Sequence, residues 1–241
     1  MKKIHLYCLP FAGGSKYSYR EYETMAPAFL QIICLEYPGR GQRIKDPFIA
    51  DLHAIVDDLY QQIKPTLDKN EYGIYGHSMG GIIGYLLTRK IIDKGHRPPL
   101  HLFVTGACAP SAPGRGKKKY HLLNKPQFLE EVKKLKGLPD EILDNEDTLD
   151  FFEPILRADF RASETYLHHP REPLEIPFTV ITGTEEDIET EDILLWQRET
   201  NLPVDFKKMP GEHFFIFRHV KTIIHIISVK LFSYSKHIIY E

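Results

Sequence analysis

The stretch Gly76-His77-Ser78-Met79-Gly80 places a serine between two glycines, a spacing that points to covalent chemistry. A hydroxyl is a weak nucleophile, so it needs a base beside it and a third group to orient that base. The G-x-S-x-G spacing supplies the geometry. A sharp turn from strand to helix lifts the serine above a sheet, and such a turn leaves little room for side chains two residues to either side. The apolar "YGIY" before the motif and the helical "GIIGYLLTRKIID" after it fit that turn.

The base is expected late in the chain, after the last strand. There "KKMPGEHFFIF" offers a strand, a Pro-Gly turn and then His213. An imidazole with an ordinary pKa of about 6.5 accepts a proton at neutral pH. The orienting acid should follow the preceding strand, where "PFTVITGTEEDIETED" presents Glu185, Glu186 and Asp187. Any of these, correctly placed, would hold the imidazole tautomer. Asp187 is preferred and Glu186 is the alternative. Charge developing on a carbonyl oxygen needs backbone donors. The Met79 N–H, directly after the serine, is one candidate. The Ala12 N–H, in the glycine-containing "PFAGGS" at 10–15, is the other.

These residues need a scaffold. Six short apolar runs read as strands: 4–9, 31–36, 72–76, 101–107, 177–182 and 203–209. Stretches with helical periodicity at 17–30, 50–65, 80–94 and 190–200 alternate with them. That alternation predicts an α/β fold with a mostly parallel sheet, and the continuous hydrophobic runs predict strands covered on both faces. The chain order serine, acid, histidine is the one expected of an α/β-hydrolase. Between about 111 and 167 the rhythm stops, and "KPQFLEEVKKLKG" and "DEILDNEDTLDFFEPILRADFRASETYL" read as helices. The expected division is therefore a hydrolase core at 1–110 and 168–241, with a helical lid inserted at 111–167.

Composition narrows the partners. In 241 residues, 31 basic against 33 acidic side chains leave a net charge of −2, which gives no general attraction to nucleic acid or to an anionic membrane. Cys8, Cys34 and Cys108 are widely spaced within or beside apolar runs, as buried thiols of a reducing compartment are. The opening "MKKIHLYCL" reads as a first buried strand, not a leader, and the C-terminal "TIIHIISVKLF" is too short and too interrupted to span a bilayer. The expectation is a cytoplasmic monomer that needs no metal or other cofactor.

The sequence also resembles the type II thioesterases that accompany nonribosomal peptide and polyketide synthases. The resemblance rests on "LPFAGGS" at 9–15, "LEYPGRGQR" at 35–43, "YGHSMGG" at 75–81, "FFEPILRADFRASETY" at 151–166 and "MPGEHFFIF" at 209–217, in family order across nearly the whole chain. It implies an α/β-hydrolase core with a helical lid. It also implies hydrolysis of acyl thioesters on the phosphopantetheine arm of an acyl or peptidyl carrier protein, for editing or release. By motif, Ser78 is the nucleophile, His213 the base, and Met79 and Ala12 the oxyanion donors.

Two departures stand out. The family usually shows a glycine, two residues and then an aspartate, whereas here the third position after Gly183 is Glu186 and Asp187 comes one later. Glu212 also stands where the family often has glycine. The run Arg115, Lys117, Lys118 and Lys119 in "GRGKKKYH" either meets an acidic carrier or is a solvated loop. The competing functions are a small-ester esterase or an acyltransferase on the same fold and, from another class, a non-catalytic carrier-binding module.

Overall fold

The computed structural model describes residues 3–135 and 145–237. Six strands form one sheet: β1 (Ile4–Leu9), β2 (Leu30–Cys34), β3 (Tyr72–His77), β4 (Leu102–Thr105), β5 (Phe178–Gly183) and β6 (Asp205–Met209). Their order is β2-β1-β3-β4-β5-β6 and every pair is parallel. All loops that follow the strands therefore open on one edge. The order reverses between β1 and β3, and in such sheets the crevice at this reversal is where ligands bind.

Side chains alternate between two cores with the period of two that a strand imposes. Tyr7, Leu9, Tyr72, Ile74, Leu102, Val104, Phe178 and Val180 face one side. Leu6, Cys8, Tyr75, Phe103 and Ile181 face the other. On the first side pack α2 (Leu52–Ile63) and α3 (Met79–Asp93). Helix α2 buries Leu52, Ile55, Val56, Leu59 and Ile63 on one stripe, and its start is capped by Asp51 Oδ1, which accepts from the Ala54 N–H at 2.8 Å. On the second side pack the short α1 (Arg20–Met25) and a long helix near the C-terminus, Val220–His237. Each large side chain so buried contributes about 1.5–3 kcal/mol.

The helix expected over 17–30 is shorter than its periodicity suggested. It is a 3₁₀ turn at Lys16–Tyr19 followed by α1, which ends at Met25. Pro27 forces the preceding Ala26 out of helical geometry, to φ −67° and ψ 135°.

The insertion between β4 and β5 carries α4 (Lys125–Lys134) and α5 (Glu146–Thr165). The part of the expected second helix at 140–144 lies outside the described residues. Phe128, Val132 and Leu156 form a small core of their own, flanked by Phe152 and Phe160. Ala162 of α5 belongs instead to the main core, so the insertion is seated on the sheet side of the molecule. The boundaries expected at 110/111 and 167/168 both fall in chain that is neither helix nor strand.

Within the sheet His101, just before β4, is buried, stacked on Phe103 and bonded through Nε2 to Thr179 Oγ1 at 2.8 Å. Burial, reinforced by the Lys230 charge, pushes its imidazole down to about 3. The unfolded chain takes up this proton below about pH 6.5, while the folded one stays neutral. Stability must therefore fall with falling pH, by about 1.4 kcal/mol per unit for this group. In urea unfolding between pH 6 and 4, His101→Gln should lose stability less steeply than wild type by about that slope. Parallel profiles would refute the assignment.

Candidate active site

The turn after β3 is strained at one residue. Ser78 adopts φ 55° and ψ −119°, and it is the only non-glycine residue at positive φ among the described residues. Such backbone costs about 1–3 kcal/mol and persists only where its surroundings enforce it. Here the Ser78 N–H donates to the Thr105 carbonyl at 2.8 Å, and the Ser78 carbonyl accepts from Gly81 at 3.0 Å. A Cβ on Gly76 would lie 2.1 Å from the Gly80 carbonyl oxygen, and one on Gly80 would lie 2.2 Å from that of Leu9. The glycines let α3 start directly against β3 and the chain leaving β1. This sets the Met79 amide, at the first position of α3, beside the loop that contains Ala12. Among the described residues neither the Met79 nor the Ala12 amide has an acceptor.

His213 lies in the turn between β6 and α7, where α7 denotes Phe215–Arg218 and the stretch Thr190–Leu194 is α6. Its Nδ1 is 2.6 Å from Glu186 Oε1, and Glu186 Oε2 accepts from the Gly183 N–H, also at 2.6 Å. The carboxylate side chain is 2% exposed and fixed through both oxygens. An ionised carboxylate only accepts, so Nδ1 carries the proton and Nε2 is left as the acceptor.

Asp187, the preferred acid on sequence grounds, does not take this place. Its side chain is 91% exposed and its Oδ2 meets Lys118 Nζ at 3.2 Å. The cause is local. The turn after β5 folds the third residue after Gly183 back over that glycine's amide, and the longer glutamate chain reaches on to the imidazole. The next residue is thereby turned outward. The spacing from Gly183, counted strictly, was the signal for Glu186.

His77 was not singled out by sequence, since it occupies a variable position of the motif. It is fully buried, and its ring lies 4.8 Å from that of His213. Nδ1 is 3.0 Å from Thr105 Oγ1. Burial, and then the neighbouring His213, push its imidazole well below the ordinary value. His77 is thus a neutral wall that adds no cation beside His213. Phe11 and Phe214, 4.9 Å apart, pack against it from the other sides.

The described residues hold no group of three or more His, Cys, Asp or Glu side chains able to bind a metal ion, and no described helix is long and apolar enough to cross a membrane. The arrangement is a serine at a strained elbow, an imidazole oriented by a buried carboxylate, one free amide at the start of α3 and another in the loop after β1. That is an assembly for acyl transfer to serine.

A family model described as "Thioesterase domain" matches residues 4–231. The chain belongs to the thioesterase family. It is 31% identical over 230 residues to the gramicidin S biosynthesis protein GrsT of Aneurinibacillus migulanus, spanning 95% of this chain and 89% of that one. It is 30% identical to the thioesterase PikA5 of Streptomyces venezuelae, spanning 88% of this chain and 75% of the relative. The solved structure of ClbQ, from the colibactin NRPS/PKS pathway, superposes with a TM-score of 0.91 at 30% identity, covering 96% of this chain and 98% of ClbQ.

In this thioesterase Glu212 is exposed. Three of the four cations at 115–119 are engaged. Arg115 donates to the Ser163 carbonyl at 3.2 Å, Lys118 pairs with Asp187, and Lys119 donates to the Glu164 carbonyl. Two of these contacts brace the insertion internally against α5 and one ties it to the turn after β5, so the run is not a free basic patch.

The two neighbouring carboxylates can be told apart by isosteric amides. Glu186→Gln should lower kcat by about 10⁴-fold, because the amide stabilises the wrong imidazole tautomer. Asp187→Asn should stay within about twofold. Steady-state hydrolysis of a thioester by both variants checks this, and equal losses would reject the distinction.

Proposed function

We propose that this thioesterase hydrolyses acyl groups held as thioesters on the phosphopantetheine arm of carrier proteins, as an editing or release enzyme of nonribosomal peptide or polyketide synthesis. The observation that carries the chemistry is the bond from His213 Nδ1 to the buried Glu186, made beside the strained turn at Ser78. What supports the carrier-bound substrate is the likeness to GrsT, PikA5 and ClbQ, extending over most of each chain.

The reaction follows from the residues. Ser78 Oγ attacks the thioester carbonyl carbon while His213 Nε2 takes the hydroxyl proton. The carbonyl electron pair moves to oxygen, where the Met79 and Ala12 amides receive it. As it returns, the carbon–sulfur bond breaks, and the proton on His213 passes to the leaving sulfur. Water then attacks the acyl-serine, giving one proton to His213. The second collapse breaks the bond to Ser78 Oγ, which recovers that proton, and the free acid departs. A thiolate leaves readily, so the first half needs little acid catalysis. Glu186 holds the imidazolium throughout without taking its proton.

The test is hydrolysis of short- and longer-chain acyl-phosphopantetheinyl carrier protein, alongside a p-nitrophenyl ester, by wild type and Ser78→Ala. Turnover should favour the carrier-bound thioester and fall about 10⁴–10⁶-fold in the variant. Turnover of the free ester alone would make the protein a general esterase. Carrier binding with no Ser78-dependent turnover would make it a binding module.

A further inference from the structure

Two of the sequence stretches that carry the family likeness have no part in the chemistry above, yet the structure joins them. Arg40, from "LEYPGRGQR", and Asp159, from "LRADFRASETY", form a bidentate ion pair, Nη1 to Oδ2 at 2.5 Å and Nη2 to Oδ1 at 2.7 Å. Arg40 is 4% exposed and Asp159 not at all. The pair is 119 residues apart in sequence and bridges the core to lid helix α5.

Its second attachment is the loop after β1. Asp159 Oδ2 accepts from the Gly13 N–H at 2.7 Å, and Arg40 Nη1 donates to the Gly14 carbonyl at 3.2 Å. The amides that follow Ala12 are each bound: Gly13 to Asp159, Gly14 to the Phe11 carbonyl, Ser15 to Ser18 Oγ, and Lys16 to Glu36 Oε1 at 3.0 Å. Among the described residues the Ala12 amide, like that of Phe11 before it, has no acceptor. Gly13, at φ 77°, lies under Leu156 of the same lid helix, so close that a Cβ would meet Leu156 Cδ2 at 2.4 Å. The loop is thus held from above by α5 and from the side by Arg40.

We propose that Asp159 is a positioning residue for hydrolysis. Through its bond to Gly13 it aims the adjacent Ala12 N–H at the oxygen that becomes negative, and Arg40 both fixes the carboxylate and neutralises it. A bare carboxylate one residue from an oxyanion donor would oppose the charge that donor is meant to receive. Shared with Arg40, it can orient the loop without that penalty. The lid is then part of the oxyanion site as well as its cover. The inference rests on the reading of Ser78 as nucleophile and Ala12 as donor.

A thioether trifluoromethyl ketone that mimics an acyl-pantetheine gives a direct readout, because its hemiketal with Ser78 places a real oxyanion at the site. For Asp159→Asn, the inhibition constant should rise and kcat/KM should fall together, by about 10–10²-fold, the scale of a modest misplacement in an active site. KM for an acyl-pantetheine should stay within about threefold. The pH at which the hemiketal ionises, followed by ¹⁹F NMR, should move up. A merely structural pair would alter the thermal midpoint but leave this ionisation where it is in wild type. Arg40→Lys keeps the charge but loses the fork, and should move the same quantities in the same direction by less.

Should both variants fail to fold, amide exchange in the wild-type protein decides. Slow exchange at Gly13 supports the bond to Asp159, and exchange as fast as in exposed loops overturns it. A Ser78 adduct formed equally well by wild type and Asp159→Asn would overturn this inference alone. No adduct in wild type would overturn the nucleophile reading, and this inference with it.

Discussion

The approach of α3 to the ends of β1 and β3 is the contact on which the site depends. At Gly76 and Gly80 the backbone of one element lies where another residue's Cβ would be. Only there can a helix begin one residue after a strand stops, and only then does the chain have to pass through φ 55° at Ser78. The strain of about 1–3 kcal/mol is offset by a large core. Tyr72 and Ile74 of β3 and Ile82, Ile83, Leu86 and Leu87 of α3 are all buried within it. Packing thus holds the serine in a conformation it would not adopt alone. The same contact leaves the first amides of α3 without intrahelical acceptors, as every helix start does, and directs one of them at the crevice between β1 and β3.

The parallel sheet determines the rest by direction alone. Because β1, β3, β5 and β6 all run the same way, the loop with Ala12, the turn with Ser78, the turn with Glu186 and the turn with His213 meet at one edge without any of them being long. Glu186 and His213 come from the turns after adjacent strands β5 and β6, so their bond spans a single strand spacing. Charge is managed by the same economy. Glu186 is nearly fully buried but bonded at both oxygens, while His77 beside it is kept neutral by burial. The buried carboxylate of Glu186 thus faces the His213 imidazole, with no second cation supplied by His77.

What could be read from the sequence was what depends on local backbone. The strands, their order of appearance, the turn at Ser78 and the turn that carries His213 are each announced within about ten residues, by continuous apolar runs and by glycine or proline. The acid was harder. Glu186 and Asp187 are chemically near-equivalent neighbours, and which one faces inward depends on the path of a four-residue turn whose far side is built by Met209 and Gly211. Helix α1 was overextended because apolar periodicity ran past Pro27, where the steric rule outweighs the pattern. The neutral His77 was invisible for a similar reason. Its identity means nothing until Thr105 and His213, from two other strands' ends, close around it.

Least legible was the pairing of Arg40 with Asp159. Each looks like a surface charge in its own segment, one in a glycine-rich turn and the other in an amphipathic helix. Desolvating two charges costs several kcal/mol apiece, and an apolar pair of similar volume often serves stability as well or better. Stability alone is therefore a weak reason for burying them. The geometry offers another one. A leucine at 159 could seal the lid to the core, but it could not accept the Gly13 amide, and a methionine at 40 could not grip the Gly14 carbonyl. The polar pair gives the interface a direction as well as an affinity, because it fixes how one loop of backbone is turned. If α5 lifts, the loop loses the Asp159 acceptor and the contact with Leu156 together, while Arg40 stays with the core.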